Sequence, residues 1–289
     1  MDVHLATTHI YALNAALDFE AAKQQAIDKR LGLVAGGLGG LLSRPKPEEV
    51  DLVYSEIRFE PFWHTVCATR YAFERNKEFA VPVSGVEVRK VTILGQEFEV
   101  AAQEPQGQPS ILKQLGLTGA IRTFSVSGVE HCVDENRQER VLDAVTGQPA
   151  QANAAEYIHK EKTEMPDLSA FTSGDALVVL PSAKATQIVK TLLATMIKPI
   201  QADKILEEVA YIETLDLYFR PVYAFEFAWK PKNKTGVAEF DAVTGAMTGG
   251  KALHTKSDKP VSREGLFDIN SDTVTSILPA ASTNVKLIE

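Results

Sequence analysis

Cysteine, tryptophan and basic charge are all scarce in this sequence. Its 289 residues include two cysteines and two tryptophans, and 38 acidic residues outnumber 30 basic ones, which gives a net charge of −8. Two cysteines are too few for a disulfide scaffold. Nucleic acids and anionic membranes are bound through basic surfaces that neutralise phosphates, so we expect neither as a partner.

A long apolar stretch and a secretory signal are also missing. The longest uncharged apolar run, Leu31 to Leu42, has about half of the ~20 residues that a membrane-spanning helix needs. The first residues, Met1-Asp2-Val3-His4, lack the basic start and apolar core of a secretory signal. We therefore expect a cytoplasmic protein with reduced thiols and no membrane span.

The motifs of common catalytic sites do not occur. The sequence contains no Gly-x-Ser-x-Gly, no His-Glu-x-x-His and no Cys-x-x-Cys. The glycine-rich segment 36–40 lacks the Lys and Ser/Thr of a phosphate-binding loop, so we interpret it as a helix terminus or a contact with a partner. These absences favour a protein that is not an enzyme and that needs no cofactor.

A repeated pattern organises what is present. Residues 59–71 resemble residues 219–229 at a constant offset, and residues 142–147 recur almost letter for letter as residues 240–245. Both long copies carry an odd-numbered apolar and aromatic set, and most of their charged residues have even numbers. The odd-numbered set is Phe59, Pro61, Trp63, Cys67 and Tyr71 in the first copy and Phe219, Pro221, Tyr223, Phe225, Phe227 and Trp229 in the second. Alternation of this kind places the aromatic side chains on one buried face of a strand. We infer an internal duplication.

One amphipathic helix is predicted ahead of each aromatic strand. Apolar residues recur at steps of three and four between Asn14, the expected cap, and Val34. A second helix opens at Pro181-Ser182 and runs to about Ile200, and a further helical turn is expected at about residues 202–209.

Each half thus has a short strand, a helix, an aromatic strand and a strand that ends in Asp-Ala-Val-Thr-Gly. This order resembles the PepSY module, in which a helix lies across an antiparallel sheet and the last strand ends close to Asp-x-x-Thr-Gly. The resemblance implies a non-catalytic module that inhibits or assists other proteins. The matching turn residues are Asp143, Thr146, Gly147, Asp241, Thr244 and Gly245, and the aromatic strand before the second turn carries Tyr223, Phe225 and Phe227.

We therefore predict an α+β fold of two duplicated units, each with a helix packed on its own antiparallel sheet. The first unit spans residues 1–147 and includes a β-rich insertion at about 76–138. Residues 148–174 form a linker, residues 175–250 the second unit, and residues 251–289 a C-terminal extension. The turn residues have a local role, because Asp caps backbone amides and Gly accepts a positive φ.

Four polar residues are candidates for contact with a ligand or partner: His64, Arg70, Arg220 and Glu226. Glu226 interrupts an aromatic strand. An ion pair with Arg220 or Lys230 on the same face explains it better than acid–base catalysis does.

A metal site is another interpretation of the polar residues. His64, Cys67, His131 and Cys132 are the residue types of a tetrahedral zinc site. However, both His64 and Cys67 and the adjacent His131 and Cys132 point to opposite faces of a strand, so one ion cannot gather all four. We expect no bound metal.

The duplication, the aromatic sheet and the missing catalytic residues predict a protein-binding or scaffolding module, regulatory or inhibitory, that contacts a protein partner or a second copy of itself. The alternative is an enzyme or small-ligand protein that uses a cleft between the two halves. A cleft lined by converging polar groups would favour the alternative, and a flat apolar patch would favour the scaffold.

Overall fold

The computed structural model describes residues 1–35, 44–103, 121–150, 154–166, 168, 176–254, 262–270, 272–273 and 286–288. Two compact units are distinguished. Unit 1 comprises Met1–Thr69, Glu135–Lys198 and Val209–Glu289, and unit 2 comprises Arg70–Asp134 and Pro199–Glu208. The glycine-rich segment 36–40 lies outside the described residues. The predicted linker at 148–174 lies partly outside them, and its place as a domain boundary stays a prediction.

Strands dominate the described residues. In chain order they are β1 (Asp2–Leu5), β2 (Ile10–Leu13), β3 (Val50–Pro82), β4 (Lys90–Ile93), β5 (Gln96–Glu99), β6 (Ala101–Gln103), β7 (Ile121–Asp143), β8 (Lys162–Glu164), β9 (Leu177–Val178), β10 (Lys204–Trp229), β11 (Lys234–Asp241), β12 (Met247–Gly249) and β13 (Lys286–Ile288).

The α-helices of the described residues are fewer and mostly short: α1 (Phe19–Val34), α2 (Ala154–Tyr157), α3 (Ala185–Met196) and α4 (Arg263–Leu266). The predicted cap at Asn14 is wrong. Asp18 caps α1, because its carboxylate accepts hydrogen bonds from the amides of Glu20 and Ala21. The helical turn predicted at 202–209 is also wrong, since β10 begins at Lys204 and its pairing in the sheet overrides the local helical pattern.

The fold class differs from the prediction. Eleven strands of the described residues form one mixed sheet, in which the central order is β12-β11-β10-β3-β7-β6. The long strands of the two halves of the sequence, β3 and β10, are direct neighbours in this sheet. The expectation of two duplicated units, each with a helix on its own antiparallel sheet, is therefore wrong, and the protein is mostly β.

Helix α1 packs on strands from the other half of the sequence. Its residues Ala22 and Ala26 are buried in one cluster with Phe225, Phe227 and Phe240 of the hairpin β10–β11. The chain just before the helix is fixed to the same hairpin, because the amide of Leu17 donates to the carbonyl of Ala242 at 2.9 Å.

Helix α3 also packs on a strand from the other half of the sequence. Its residues Ile188 and Leu192 are buried in one cluster with Trp63 of β3 and with Leu217 and Phe219 of β10. Just before the helix, the amide of Ala183 donates to the carbonyl of Ala144 at 2.9 Å. The two aromatic strands offer similar apolar faces, so the hydrophobic pattern alone does not decide which helix covers which strand. Because both helices pack on residues from the other half, the described residues do not form a separate helix-and-sheet unit in each half.

The predicted burial of the odd-numbered residues in the aromatic strands is confirmed, but the opposite face is also buried in part, at Phe62 and Tyr218. The odd-numbered residues Trp63 and Cys67 of β3 and Phe219, Phe225 and Phe227 of β10 are all fully buried. They form the face that α1 and α3 cover. The predicted hairpin after the second aromatic strand is confirmed as well, with β10 and β11 paired antiparallel.

The two Asp-Ala-Val-Thr-Gly turns have the same hydrogen bonds. In each, one carboxylate oxygen of the Asp, Asp143 or Asp241, accepts from the amides two and three residues later. In each, the glycine, Gly147 or Gly245, has a positive φ and donates to the carbonyl of the Asp. Only glycine adopts this conformation without strain.

Unit 2 contains residues 70–82 of β3, residues 121–134 of β7 and residues 204–208 of β10, together with β4, β5 and β6. Strands β4 and β5 form a separate antiparallel hairpin. Leu94 at its tip is fully exposed and has a φ of 52°.

Candidate functional site

The face of the sheet opposite α1 and α3 carries charged residues at buried and partly buried positions. Strand residues two apart share a face, and the register of β10 with β11 pairs Val222 with Asp241. Even-numbered residues of β10 therefore share this face with odd-numbered residues of β11. We call six of its members the charge network: Glu56, Arg58 and Glu60 on β3, Arg220 on β10, and Glu239 and Asp241 on β11.

Arg58 is one of the two most buried members of the charge network, with 5% of its side chain exposed against 1% for Glu56. Its guanidinium donates to Glu56 at 2.9 Å, to Glu60 at 2.8 Å and to Glu239 at 2.5 Å. It also donates to the carbonyl of Lys251. Burial lowers the pKa of Arg58, but the attraction of Glu60 and Glu239 outweighs burial and raises it above its ordinary value.

Arg220 holds the other end of the charge network. Its Nη2 lies 2.5 Å from Glu60 Oε2, and its Nη1 lies 3.2 Å from Asp241 Oδ2 and 3.3 Å from the hydroxyl of Tyr157. Burial lowers the pKa of Arg220, but the charge of Glu60 and its other partners raise it above its ordinary value overall. Glu60 therefore bridges the two arginines, one with each carboxylate oxygen.

The charges of this network do not cancel. Four carboxylates surround two guanidinium groups, which leaves an excess of two negative charges. Ion pairs this deeply buried need complete hydrogen bonding to offset the loss of water.

Tyr157 joins the network from α2. Its hydroxyl donates a hydrogen bond to Asp241 Oδ2, and its ring lies 5.7 Å from the guanidinium carbon of Arg220. Burial and the hydrogen bond to Asp241 raise the pKa of the Tyr157 hydroxyl, so it remains a neutral donor.

A cleft of about 260 Å³ opens beside Arg220, and we call it the Arg220 cleft. Its walls are formed by residues 60–62 within β3, the first Asp-Ala-Val-Thr-Gly turn, the residues that follow this turn, and α2. All of these belong to unit 1. Its lining residues are Glu60, Pro61, Phe62, Asp143, Thr146, Pro149, Ala150, Ala154, Tyr157 and Arg220.

The apolar wall of the Arg220 cleft is aromatic. The ring of Phe62 lies 6.0 Å from that of Tyr157 and 5.1 Å from that of Tyr218, with the second pair stacked. The cleft is also lined by Glu60 and Arg220, which are hydrogen-bonded to each other. The cleft therefore combines a rigid polar side with an apolar side, which suits binding of a small amphipathic group.

The four sequence candidates do not converge. Arg220 lines the cleft, whereas His64 lies elsewhere on β3 with its Nε2 at 2.8 Å from Glu139. Arg70 belongs to unit 2, where its Nε is 3.1 Å from Glu207.

The fourth candidate, Glu226, does not pair with Arg220 or Lys230 as expected. Its Oε2 lies 2.7 Å from Nε2 of His254, and Lys230 instead pairs with Asp51 at 2.7 Å. The ring of His254 also stacks close to Tyr54, at 4.2 Å. Glu226 therefore anchors the segment that follows β12.

Sequence reasoning missed Glu60, Arg58 and Tyr157. One signal for Glu60 was available, because it occupies the position of Arg220 in the first copy of the repeat, between a Phe and a Pro. The sequence predicts a structural role alone for the turn residues Asp143 and Thr146. Both residues also line the cleft.

The histidines and cysteines considered for zinc have other surroundings. Cys67 is fully buried and Cys132 is partly buried, and both are free thiols. Cys132 Sγ accepts a hydrogen bond from Arg75 at 3.3 Å, and His131 lies 3.3 Å from Glu74. Within the described ranges, no three His, Cys, Asp or Glu side chains are grouped to hold a metal ion.

Comparisons with family models, curated proteins and solved structures find no match to this chain. Among the helices of the described residues, none is long and apolar enough to cross a membrane.

Proposed function

We propose that this chain is a non-catalytic binding protein and that a segment of a partner protein enters the Arg220 cleft. One observation carries the proposal: Arg220 and the carboxylates of Glu60 and Asp241 beside the cleft are already paired with one another. Glu60 accepts hydrogen bonds from two arginines, and Asp241 accepts from Arg220 and Tyr157. Carboxylates held in this way are poor general acids or bases, whereas a fixed polar wall orients a bound group.

The size of the cleft supports a partner segment. Pockets for drug-sized ligands have volumes of roughly 300–1,000 Å³, and the Arg220 cleft has about 260 Å³. This volume suits one side chain of a larger partner whose remaining contacts lie outside the cleft.

Other features support a relation to PepSY modules, a partner other than nucleic acid, and a cytoplasmic location. The shared hydrogen bonds of the two Asp-Ala-Val-Thr-Gly turns are what a duplicated sequence related to PepSY modules would have. The acidic net charge supports a partner other than nucleic acid. Free thiols at Cys67 and Cys132 support a reducing, cytoplasmic setting.

A small molecule is the second candidate occupant, because the cleft is a concave site with both polar and aromatic walls. A small molecule would fill the cleft by itself and would remain bound to the purified protein. Native mass spectrometry distinguishes the two candidates by the presence or absence of a bound small compound.

The direct test blocks the cleft with a large side chain. Ala150 lines the cleft and is partly buried, so Ala150→Trp fills it. Val145 belongs to the turn whose Asp143 and Thr146 line the cleft, but it is 40% exposed and is itself outside the lining, so Val145→Trp is the matched control. Before the binding test, thermal unfolding of both variants is measured, and each must have the melting temperature of the wild type.

Immobilised wild type and both variants are then exposed to lysate of the native cells, and the retained proteins are identified and repurified for titration calorimetry. We expect a stoichiometric partner on the wild type and on Val145→Trp, and its loss on Ala150→Trp. Equal retention by Ala150→Trp would overturn the assignment of the partner to this cleft.

A further inference from the structure

We propose that the group entering the Arg220 cleft is a cationic side chain, Lys or Arg, of the partner protein. This inference rests on the proposed function and names the chemistry of the same site. It follows from the charges that line the cleft, from the hydrogen bonds these groups already make, and from the aromatic wall.

The charged lining of the cleft is acidic overall. Glu60 and Asp143 contribute carboxylates, and Arg220 contributes the one guanidinium among the lining residues that the structure describes. Asp241, directly behind Arg220, adds a further carboxylate. A cation entering the cleft therefore meets a negative potential that the network itself does not neutralise.

Arg220 is engaged and does not present an open anion site. Its two terminal nitrogens are held by Glu60, Asp241 and Tyr157, and 16% of its side chain is exposed. An anionic ligand would have to displace one of these carboxylates from a partly buried ion pair and would itself lie close to Glu60 and Asp241, which is unfavourable.

Asp143 is the carboxylate that a cation would reach. The Asp143 side chain accepts three described hydrogen bonds, from the amides of Val145 and Thr146 and from the Thr146 hydroxyl. All three are accepted by Oδ1. The turn is therefore held through Oδ1, and Oδ2 is the oxygen available for a charge-assisted hydrogen bond with a ligand.

The aromatic wall suits the same occupant. Phe62 and Tyr157 line the cleft, and aromatic faces attract ammonium and guanidinium groups. The Tyr157 ring already lies beside the guanidinium of Arg220 at 5.7 Å. The methylene stem of a Lys or Arg side chain would lie along Phe62 and Pro61 while its charged end reaches Asp143.

The first test compares two probes of nearly the same shape. N-acetyl-arginine amide carries the cationic group, and N-acetyl-citrulline amide replaces it with a neutral urea. Each is titrated into the full-length protein, and the aromatic NMR signals of Phe62 and Tyr157 are followed. We expect the arginine probe to shift both rings and to bind at least about tenfold more tightly than the citrulline probe, as the loss of one charge-assisted contact implies.

The second test removes one carboxylate without removing the turn. In Asp143→Asn the amide oxygen still accepts the turn hydrogen bonds, but the negative charge is lost. Glu156 is exposed on α2 and does not line the cleft, so Glu156→Gln is the matched control for a distant charge. We expect about tenfold weaker binding of the arginine probe by Asp143→Asn and a change of less than about twofold for Glu156→Gln.

Equal binding of the two probes, or an unchanged affinity in Asp143→Asn, overturns this inference. Tighter binding of N-acetyl-glutamate amide than of the arginine probe overturns it as well. If a small cationic compound is found bound to the purified wild type, the occupant of the cleft is a metabolite with the same charged group. This result would contradict a protein partner.

The proposed function is tested separately. If a partner is lost on Ala150→Trp but its affinity is the same for wild type and Asp143→Asn, the proposed function stands and the cationic side chain is wrong. If the partner is retained on Ala150→Trp, the proposed function itself fails.

Discussion

Arg220 donates a hydrogen bond to Glu60 at 2.5 Å, across a separation of 160 residues. The two residues hold the same place in the repeated sequence, each between a Phe and a Pro. The two copies of the motif thus meet through one acidic and one basic residue at equivalent positions. This pair closes one side of the Arg220 cleft and ties it to the buried charge network.

Removal of the Arg220 charge should destabilise the protein strongly. Arg220→Met removes the cation that Glu60 and Asp241 share. Breaking a buried pair costs about 3–5 kcal/mol, and we expect the lower end, about 3 kcal/mol, because Glu60 is partly exposed and keeps Arg58. Arg137 pairs with Glu213 at the surface, with 60% of its side chain exposed, so Arg137→Met should cost less than about 1 kcal/mol. Urea unfolding measures both. A loss below about 1 kcal/mol in Arg220→Met would contradict the importance of the network.

The two turn aspartates should respond differently to the same substitution. Asp143→Asn keeps its acceptor oxygen for the turn and should change the free energy of unfolding by less than about 1 kcal/mol. Asp241→Asn also keeps the turn, but its other oxygen holds Arg220 and Tyr157. We expect it to cost about 2 kcal/mol more than Asp143→Asn. Chemical unfolding of both variants under one set of conditions checks this, and equal losses would refute the second role of Asp241.

Gly236 marks the close approach of α1 to the hairpin β10–β11. A Cβ at this position would lie 2.6 Å from the carbonyl oxygen of Leu33, so the helix or the strand must shift. We expect Gly236→Ala to cost about 1–3 kcal/mol. A Cβ at Gly249 would meet no atom of the described residues within 4 Å, and Gly249→Ala serves as the control. Thermal unfolding distinguishes them. A neutral Gly236→Ala would show that α1 does not pack closely on this hairpin.

Cys67 should make stability depend on alkaline pH. Burial raises the pKa of the Cys67 thiol from 9.0 to about 11, with a smaller contribution from Glu213 and an opposing one from the Thr65 hydrogen bond. The folded state therefore holds the thiol proton more tightly than the unfolded state. This contribution is fully present below about pH 9 and is lost as the pH rises through about 11.

The measurement compares wild type and Cys67→Ala in urea at about pH 8 and about pH 11, where the thiol changes its protonation state. We expect the wild type to lose about 2 kcal/mol more than the variant over this interval, since one pKa unit corresponds to about 1.4 kcal/mol. Tyrosines titrate in both proteins and cancel in the comparison. Parallel losses would show that Cys67 is not held protonated by the core.

Part of the candidate site was accessible from the sequence. Arg220 was named from its place in the repeat, and Asp143 and Thr146 from their turn. The partners Arg58 and Tyr157 were not found, because neither belongs to a recognisable motif. Tyr157 lies in a four-residue helix within the region predicted as a linker, and its role depends on contacts with residues distant in the chain.

The sequence by itself determined the aromatic face of β3 and β10, the hairpin β10–β11 and the two turns. These features follow from side-chain alternation and from local hydrogen bonding of Asp and Gly, which act over a few residues. The tertiary structure alone decided that β3 and β10 are neighbours, that α1 covers the hairpin β10–β11 and that α3 covers both β3 and β10. The repeated sequence offers both helices similar apolar surfaces, and backbone hydrogen bonds between strands carry little sequence information. Long-range packing therefore selected β3 and β10 as neighbouring strands. This arrangement brings Glu60 and Arg220 into contact.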